Sequence, residues 1–148
     1  MLRRTFLSLM AVGAGMAMAG QARAAEHQVQ MLDRGEGGAM VFVPALVRAR
    51  VGDTIRYVPT HRGHNAETIA GMLPPGVAVT RGAMGQEYVL TVTRPGVYGI
   101  KCAPHYGMGM IGLVVVGDGS PNRTAAEEVA GRAPGIARRR FADLFGRL

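Results

Sequence analysis

The chain has 148 residues, of which 48% are hydrophobic, 5% aromatic and 18% charged, with a formal net charge of +7 and a single cysteine. This length is sufficient for one domain with its own hydrophobic core, and a lone cysteine excludes an internal disulfide. Aromatic residues do not alternate with basic ones as they do in single-strand nucleic-acid binders, so we expect no nucleic-acid partner.

The first 24 residues have the pattern of a secretory signal. A basic start ends at Arg4, an apolar stretch runs from Phe6 to Gly20, and Ala22 and Ala24 are the small residues that a signal peptidase reads. We expect cleavage after Ala24 and no membrane anchor, since the apolar stretch is short for a span; an uncleaved anchor is the alternative. Arg3 and Arg4, just before the apolar stretch, also resemble a twin-arginine export signal. Export by the general secretory route stays open as well. Either route leads out of the cytoplasm.

Residues 25–148 are predicted to form a single domain with a moderately basic surface. Three arginines precede residue 25 and all ten acidic residues follow it, so this part carries a net charge of +4. A charge of this size and sign favours an acidic protein partner.

Short strands broken by glycine and proline are predicted up to about residue 117. Alternating or β-branched runs occur at 27–32, 40–43, 45–51, 54–59, 86–93, 97–101 and 111–116. Residues 60–85 lack periodicity and are predicted to be mainly loop. This pattern is typical of an all-β sandwich.

After Gly117 the pattern becomes helical. Thr124 and Glu127 have the spacing of a capping box before a helix at about 125–130. A second helix is predicted at about 135–145, with an apolar face packed on the sandwich and the arginines of its middle in solvent. The predicted apolar face contains Ile136, Phe141, Leu144, Phe145 and Leu148.

The residues with metal chemistry lie in one short segment between two predicted strands. Cys102 ends the first of them, and His105 follows three residues later. With an upstream histidine, for which His64 is the candidate, these residues form the ligand set of a trigonal copper site with a weak axial methionine. Met108 and Met110 both have a spacing suitable for the axial position. A lone cysteine outside the cytoplasm is also safest when it is buried or bound to metal.

Four runs resemble the pseudoazurins, which are cupredoxins: residues 38–42, 52–54, 63–69 and 101–110. The likeness extends over nearly all of residues 26–148, including the two C-terminal helices. It implies a Greek-key β-sandwich, one type 1 copper ion cycling between Cu(II) and Cu(I), and periplasmic electron transfer. The copper ligands it implies are His64, Cys102, His105 and Met110.

The resemblance also implies redox partners in denitrification, such as copper nitrite reductase, or cytochromes. We expect a monomer whose acidic partners bind transiently near His105, where Pro104, Gly107 and Met108 form an apolar patch. The basic side chains that could surround this patch are Arg34, Arg62, Arg81 and Lys101. Asn65 is predicted to connect the loop of His64 to the loop of Cys102.

Two other classes of protein are alternatives to an electron carrier. A protein that stores or delivers copper is the alternative, although such proteins expose open methionine and histidine ligands. An enzyme, such as a fragment of a multicopper oxidase, needs an open coordination position or a second metal cluster. His27 and His61 are too few and too scattered to build one, so they are predicted to be surface residues and no enzymatic activity is expected.

Overall fold

The structure, a computed structural model, describes residues 22–148. The predicted signal at residues 1–24 therefore lies outside the described residues except for its last three. None of the helices in the described range is long and apolar enough to cross a membrane. The elements are β1 (Glu26–Gly35), β2 (Gly38–Val43), β3 (Leu46–Ala49), β4 (Thr54–Val58), β5 (Glu67–Thr68), β6 (Tyr88–Thr91), β7 (Gly96–Lys101), β8 (Ile111–Val116), α1 (Arg123–Ala130) and α2 (Ala137–Phe145).

The strands form two four-stranded sheets, with the orders β2-β1-β4-β6 and β3-β8-β7-β5. Neighbours are antiparallel except for the pairs β1–β4 and β3–β8, which are parallel. Strands distant in sequence are thus adjacent in each sheet, as the predicted Greek-key sandwich requires. The predicted fold class is confirmed, and the predicted loop at 60–85 contains only the two-residue strand β5.

Alternate residues of β7 and β8 point into two different cores. Tyr98 and Val114 pack between the sheets, whereas Val97 and Leu113 face the helices. All six residues of β8 are consequently buried. The second sheet is therefore the middle layer of three, covered by the first sheet on one side and by α1 and α2 on the other.

Two details of the helices differ from the prediction. The capping box is wrong, because α1 begins at Arg123 and places Thr124 inside the helix. The preceding Asn122 does not cap the helix with its side chain; it accepts a hydrogen bond from Val97 N (2.7 Å) and donates one to Val97 O (2.8 Å). In the second helical segment Ile136 is 44% exposed, so it does not belong to the buried face that contains Phe141.

Candidate metal centre

The segment from Cys102 to Met110 is a hairpin loop held by its own backbone. Cys102 N donates to Met110 O (3.0 Å), and Met110 N donates to His105 O (3.1 Å). The strands on either side, β7 and β8, are paired up to Lys101 and Ile111. Both ends of the loop are thus fixed to the central layer of the fold, which limits how far its side chains can move.

The side chains of His64, Cys102 and His105 converge. The Nδ1 atoms of the two histidines are 3.1 Å apart, and Cys102 Sγ lies 3.8 Å from His64 Nδ1 and 3.5 Å from His105 Nδ1. Metal–nitrogen and metal–sulfur bonds of about 2.0–2.3 Å separate two ligand atoms by roughly 3–4 Å, so this spacing accommodates one metal ion. His64 and Cys102 are fully buried, whereas His105 is partly exposed.

The two methionines of the loop have different surroundings. Met110 is fully buried in the same core cluster as Cys102. Met108 is 47% exposed. Of the two methionines, only Met110 is therefore buried in the core that contains Cys102.

Burial controls protonation of the cysteine and of the partly exposed histidine. It raises the pKa of the Cys102 thiol, against the opposing effect of backbone hydrogen bonds from Asn65 and His105. Burial and the neighbouring His64 lower the pKa of His105. A neutral histidine can bind a metal through its unprotonated ring nitrogen, whereas the cysteine thiol must lose its proton when a metal binds.

Asn65 connects the two loops that supply the cluster. Its Oδ1 accepts from Ala103 N (2.8 Å), and its Nδ2 donates to Glu67 Oε2 (3.0 Å) and Gly82 O (3.1 Å). Asn65 itself is 2% exposed. The predicted connection between the loops is confirmed, and Glu67 is an additional member that the sequence did not single out.

Sequence reasoning also missed Asp33, a residue of β1. Its Oδ1 lies 2.7 Å from Nε2 of His64, on the side of the ring away from the cluster. Its backbone N donates to Nδ1 of His61 (2.9 Å), which is exposed and outside the cluster, as predicted. The other surface candidate, His27, lies 2.9 Å from a carboxylate oxygen of Asp53, also away from the cluster. The only sequence signal for Asp33 is an acidic residue in a strand.

Helix α2 supports the loop in a way that its arginine run did not predict. Arg140 donates to Gly109 O (2.8 Å), Met40 O (3.0 Å) and Ala39 O (3.1 Å). Gly109 has a φ of +89°, and a Cβ atom there would lie 2.8 Å from Arg140 Cδ. Arg140 therefore fastens α2 to both the loop and the β1–β2 hairpin. The prediction of a fully solvated arginine run is wrong for this residue.

Replacing Arg140 by alanine is expected to destabilise the copper-loaded protein by about 2–3 kcal/mol. The substitution leaves several backbone carbonyls without a charged donor, and such hydrogen bonds contribute about 1.5–3 kcal/mol. Urea unfolding measures the difference. Arg139→Ala is the control, because Arg139 is exposed on the same helix and its loss should change stability by less than about 0.5 kcal/mol. Equal losses in the two variants would contradict this role.

Comparison with known proteins agrees with this geometry. The family described as "Copper binding proteins, plastocyanin/azurin family" matches residues 29–117. Pseudoazurin of Paracoccus pantotrophus is 51% identical over 131 residues, covering 88% of this chain and 89% of that protein. Pseudoazurin of Methylorubrum extorquens is 44% identical over 148 residues, covering 100% and 99%.

This chain belongs to the pseudoazurin family. The crystal structure of pseudoazurin from Methylobacterium extorquens AM1 superposes with a TM-score of 0.78 at 49% identity, covering 82% of this chain and 98% of that one. Pseudoazurins are cupredoxins, so the predicted copper cofactor and the class of blue-copper electron-transfer protein are confirmed.

Two of the cations predicted to surround the apolar patch near His105 are paired with a carboxylate. Arg81 Nε lies 3.0 Å and Lys101 Nζ 3.6 Å from the carboxylate of Glu67, which is buried. Arg34 and Arg62 are exposed. Two of the four predicted cations are therefore paired with one buried carboxylate.

Proposed function

We propose that this pseudoazurin carries single electrons between proteins of the periplasm, with copper held by His64, Cys102, His105 and Met110. Bound copper supplies the one-electron couple between Cu(II) and Cu(I). The observation that carries the proposal is the convergence of two imidazole nitrogens and a buried sulfur on a loop fixed at both ends. Such a frame keeps the ligands in place when the charge of the site changes, which favours rapid electron transfer over release of the metal.

The same proposal includes processing and location. Residues 1–24 would be removed on export, and residues 25–148 would act as a monomeric domain in the periplasm. The alternative, a copper-delivery protein, predicts a colourless Cu(I) site that passes its metal to an acceptor. An intense blue Cu(II) form that retains copper in the presence of a chelator supports the electron carrier, and rapid loss of copper would overturn it.

Met110→Leu tests the axial assignment. Removing the thioether should change the visible and EPR spectra and raise the reduction potential, since the axial ligand tunes both. Met108→Leu is the matched control, and its 47% exposed side chain should leave the spectra unchanged. If Met108→Leu changed the spectra and Met110→Leu did not, the assignment would be reversed.

Electrons are proposed to leave through the partly exposed edge of His105. Around it lie the exposed Pro104 and Gly107 and the side chain of Met108. Ile136 lies next to Gly107, because its backbone N donates to Gly107 O (3.1 Å), and its side chain is 44% exposed. An apolar surface with a few cations nearby suits a small, transient contact with an acidic redox protein, for which copper nitrite reductase or a cytochrome is the expected partner.

Stopped-flow oxidation of the reduced protein by copper nitrite reductase tests this docking surface. Met108→Lys should slow the bimolecular reaction at least about tenfold, because a charge must be desolvated in the contact. Val51→Lys adds the same charge on an exposed residue after β3, at the opposite end of the second sheet, and should leave the rate nearly unchanged. Added salt should slow the wild-type reaction, since screening acts over about 8–10 Å. Equal rates in both variants would contradict the surface.

A further inference from the structure

The buried ring of His64 has a carboxylate on its outer side. His64 is fully buried, whereas the side chain of Asp33 is 57% exposed, and the two meet with 2.7 Å between Nε2 and Oδ1. The carboxylate is held in place by its own strand and by the backbone hydrogen bond from Asp33 N to His61 Nδ1 (2.9 Å). This contact lies on the far side of the ring from Cys102 and His105.

The contact selects one tautomer of His64. A neutral imidazole has one N–H group, and a carboxylate can only accept a hydrogen bond. The proton is therefore held on Nε2, and the lone pair of Nδ1 is directed toward Cys102 Sγ and His105 Nδ1. Hydrogen bonds of this kind orient metal-binding histidines and raise their basicity.

The carboxylate also adds a negative charge beside the proposed ligand. A nearby anion stabilises the higher charge of an oxidised metal relative to the reduced one. We propose that Asp33 is a positioning residue that fixes the Nε2–H tautomer of His64 and lowers the reduction potential of the copper site. This inference rests on the proposed electron-transfer function and adds the residue that tunes it.

The expected size follows from the exposure of Asp33. Because more than half of the side chain is in water, its charge is partly screened and the effect is smaller than that of a fully buried carboxylate. We expect Asp33→Asn to shift the equilibrium for electron exchange with a mediator by about five- to tenfold toward the reduced protein. Tenfold corresponds to 59 mV for a one-electron couple.

Two variants separate the tautomer from the charge. Asp33→Asn keeps an oxygen that can accept from Nε2–H, and Asp33→Ala removes it. Asp118→Asn is the matched control, because it removes one negative charge beyond the end of β8, roughly 20 Å from the ligand loop. Mediator titration of the copper protein gives the potential, and nitrogen-15 NMR of the metal-free protein reports which ring nitrogen of His64 carries the proton.

The expected potentials are higher in both Asp33 variants than in Asp118→Asn, and the Nε2–H signal of His64 should persist in Asp33→Asn but be lost in Asp33→Ala. Equal potentials in Asp33→Asn and Asp118→Asn would overturn the role in tuning. An unchanged Nε2–H signal in Asp33→Ala would overturn the role in tautomer selection. Failure of the electron-transfer function is distinguished by a wild-type protein that is colourless with Cu(II), and the NMR measurement needs neither copper nor a partner.

Discussion

Cys102→Ser is expected to abolish the blue colour of the copper-loaded protein completely. The intense absorption of a type 1 site requires a thiolate bound to Cu(II), and the single cysteine of this chain is the only source of one. The affinity for Cu(II) should fall by more than about 100-fold, since even residues that only support ligands contribute 10–100-fold. Visible and EPR spectra give the first effect, and competition with a chelator gives the second.

The metal-free forms provide the control for Cys102→Ser. Serine is similar in size to cysteine, and the metal-free variant should therefore retain the circular dichroism of the metal-free wild type. In the copper-loaded wild type the buried thiol should resist alkylation. A serine variant that stays blue, or a thiol that reacts freely in the loaded protein, would contradict the proposed role of Cys102.

Asn65→Ala should destabilise the protein by about 3 kcal/mol and shift the reduction potential while copper remains bound. The substitution leaves Ala103 N and Gly82 O without a partner, at about 1–3 kcal/mol for each such group, and removes one hydrogen bond from the buried carboxylate of Glu67. It also frees the first residue after Cys102, so the position of the sulfur should become less defined. Denaturant unfolding and mediator titration measure the two effects.

Asn122→Ala is the matched control for Asn65→Ala. Asn122 is also buried, and its side chain also joins two distant segments, through both backbone groups of Val97. Val97 pairs with Val115 near the end of β7 that is remote from the ligand loop. Both variants should lose stability, but only Asn65→Ala should change the potential. Equal shifts of the reduction potential in the two variants would mean that the potential depends on overall stability and not on the contact of Asn65 with the ligand loop.

Local sequence patterns were sufficient to predict the sandwich and the segments that form the cluster. Alternation of apolar residues predicted β4, which buries one face, and a continuous apolar run predicted β8, which buries both. The Cys102–Met110 segment was predictable because its spacing lies within one loop. The sequence pattern made His64 only a candidate, since 38 residues separate it from Cys102, and the family resemblance then implied it as a ligand.

The supporting residues were not predictable because their partners are far away in the chain. Asp33 is 31 residues from His64, and Arg140 is 100 residues from Met40. Nothing in the neighbourhood of either residue marks such a contact. The failed capping box has the same cause, because the side chain of Asn122 bonds to Val97, 25 residues earlier, and the helix begins one residue before the predicted cap.

The position of β8 has a consequence for the motions of the molecule. This strand lies between β3 and β7 and is covered on both faces. A strand so enclosed cannot detach alone, and its amides open to solvent only when the whole domain unfolds. Hydrogen–deuterium exchange of the β8 amides should therefore report the free energy of global unfolding, so that a mutation remote from the cluster speeds their exchange in proportion to the fraction of molecules it unfolds.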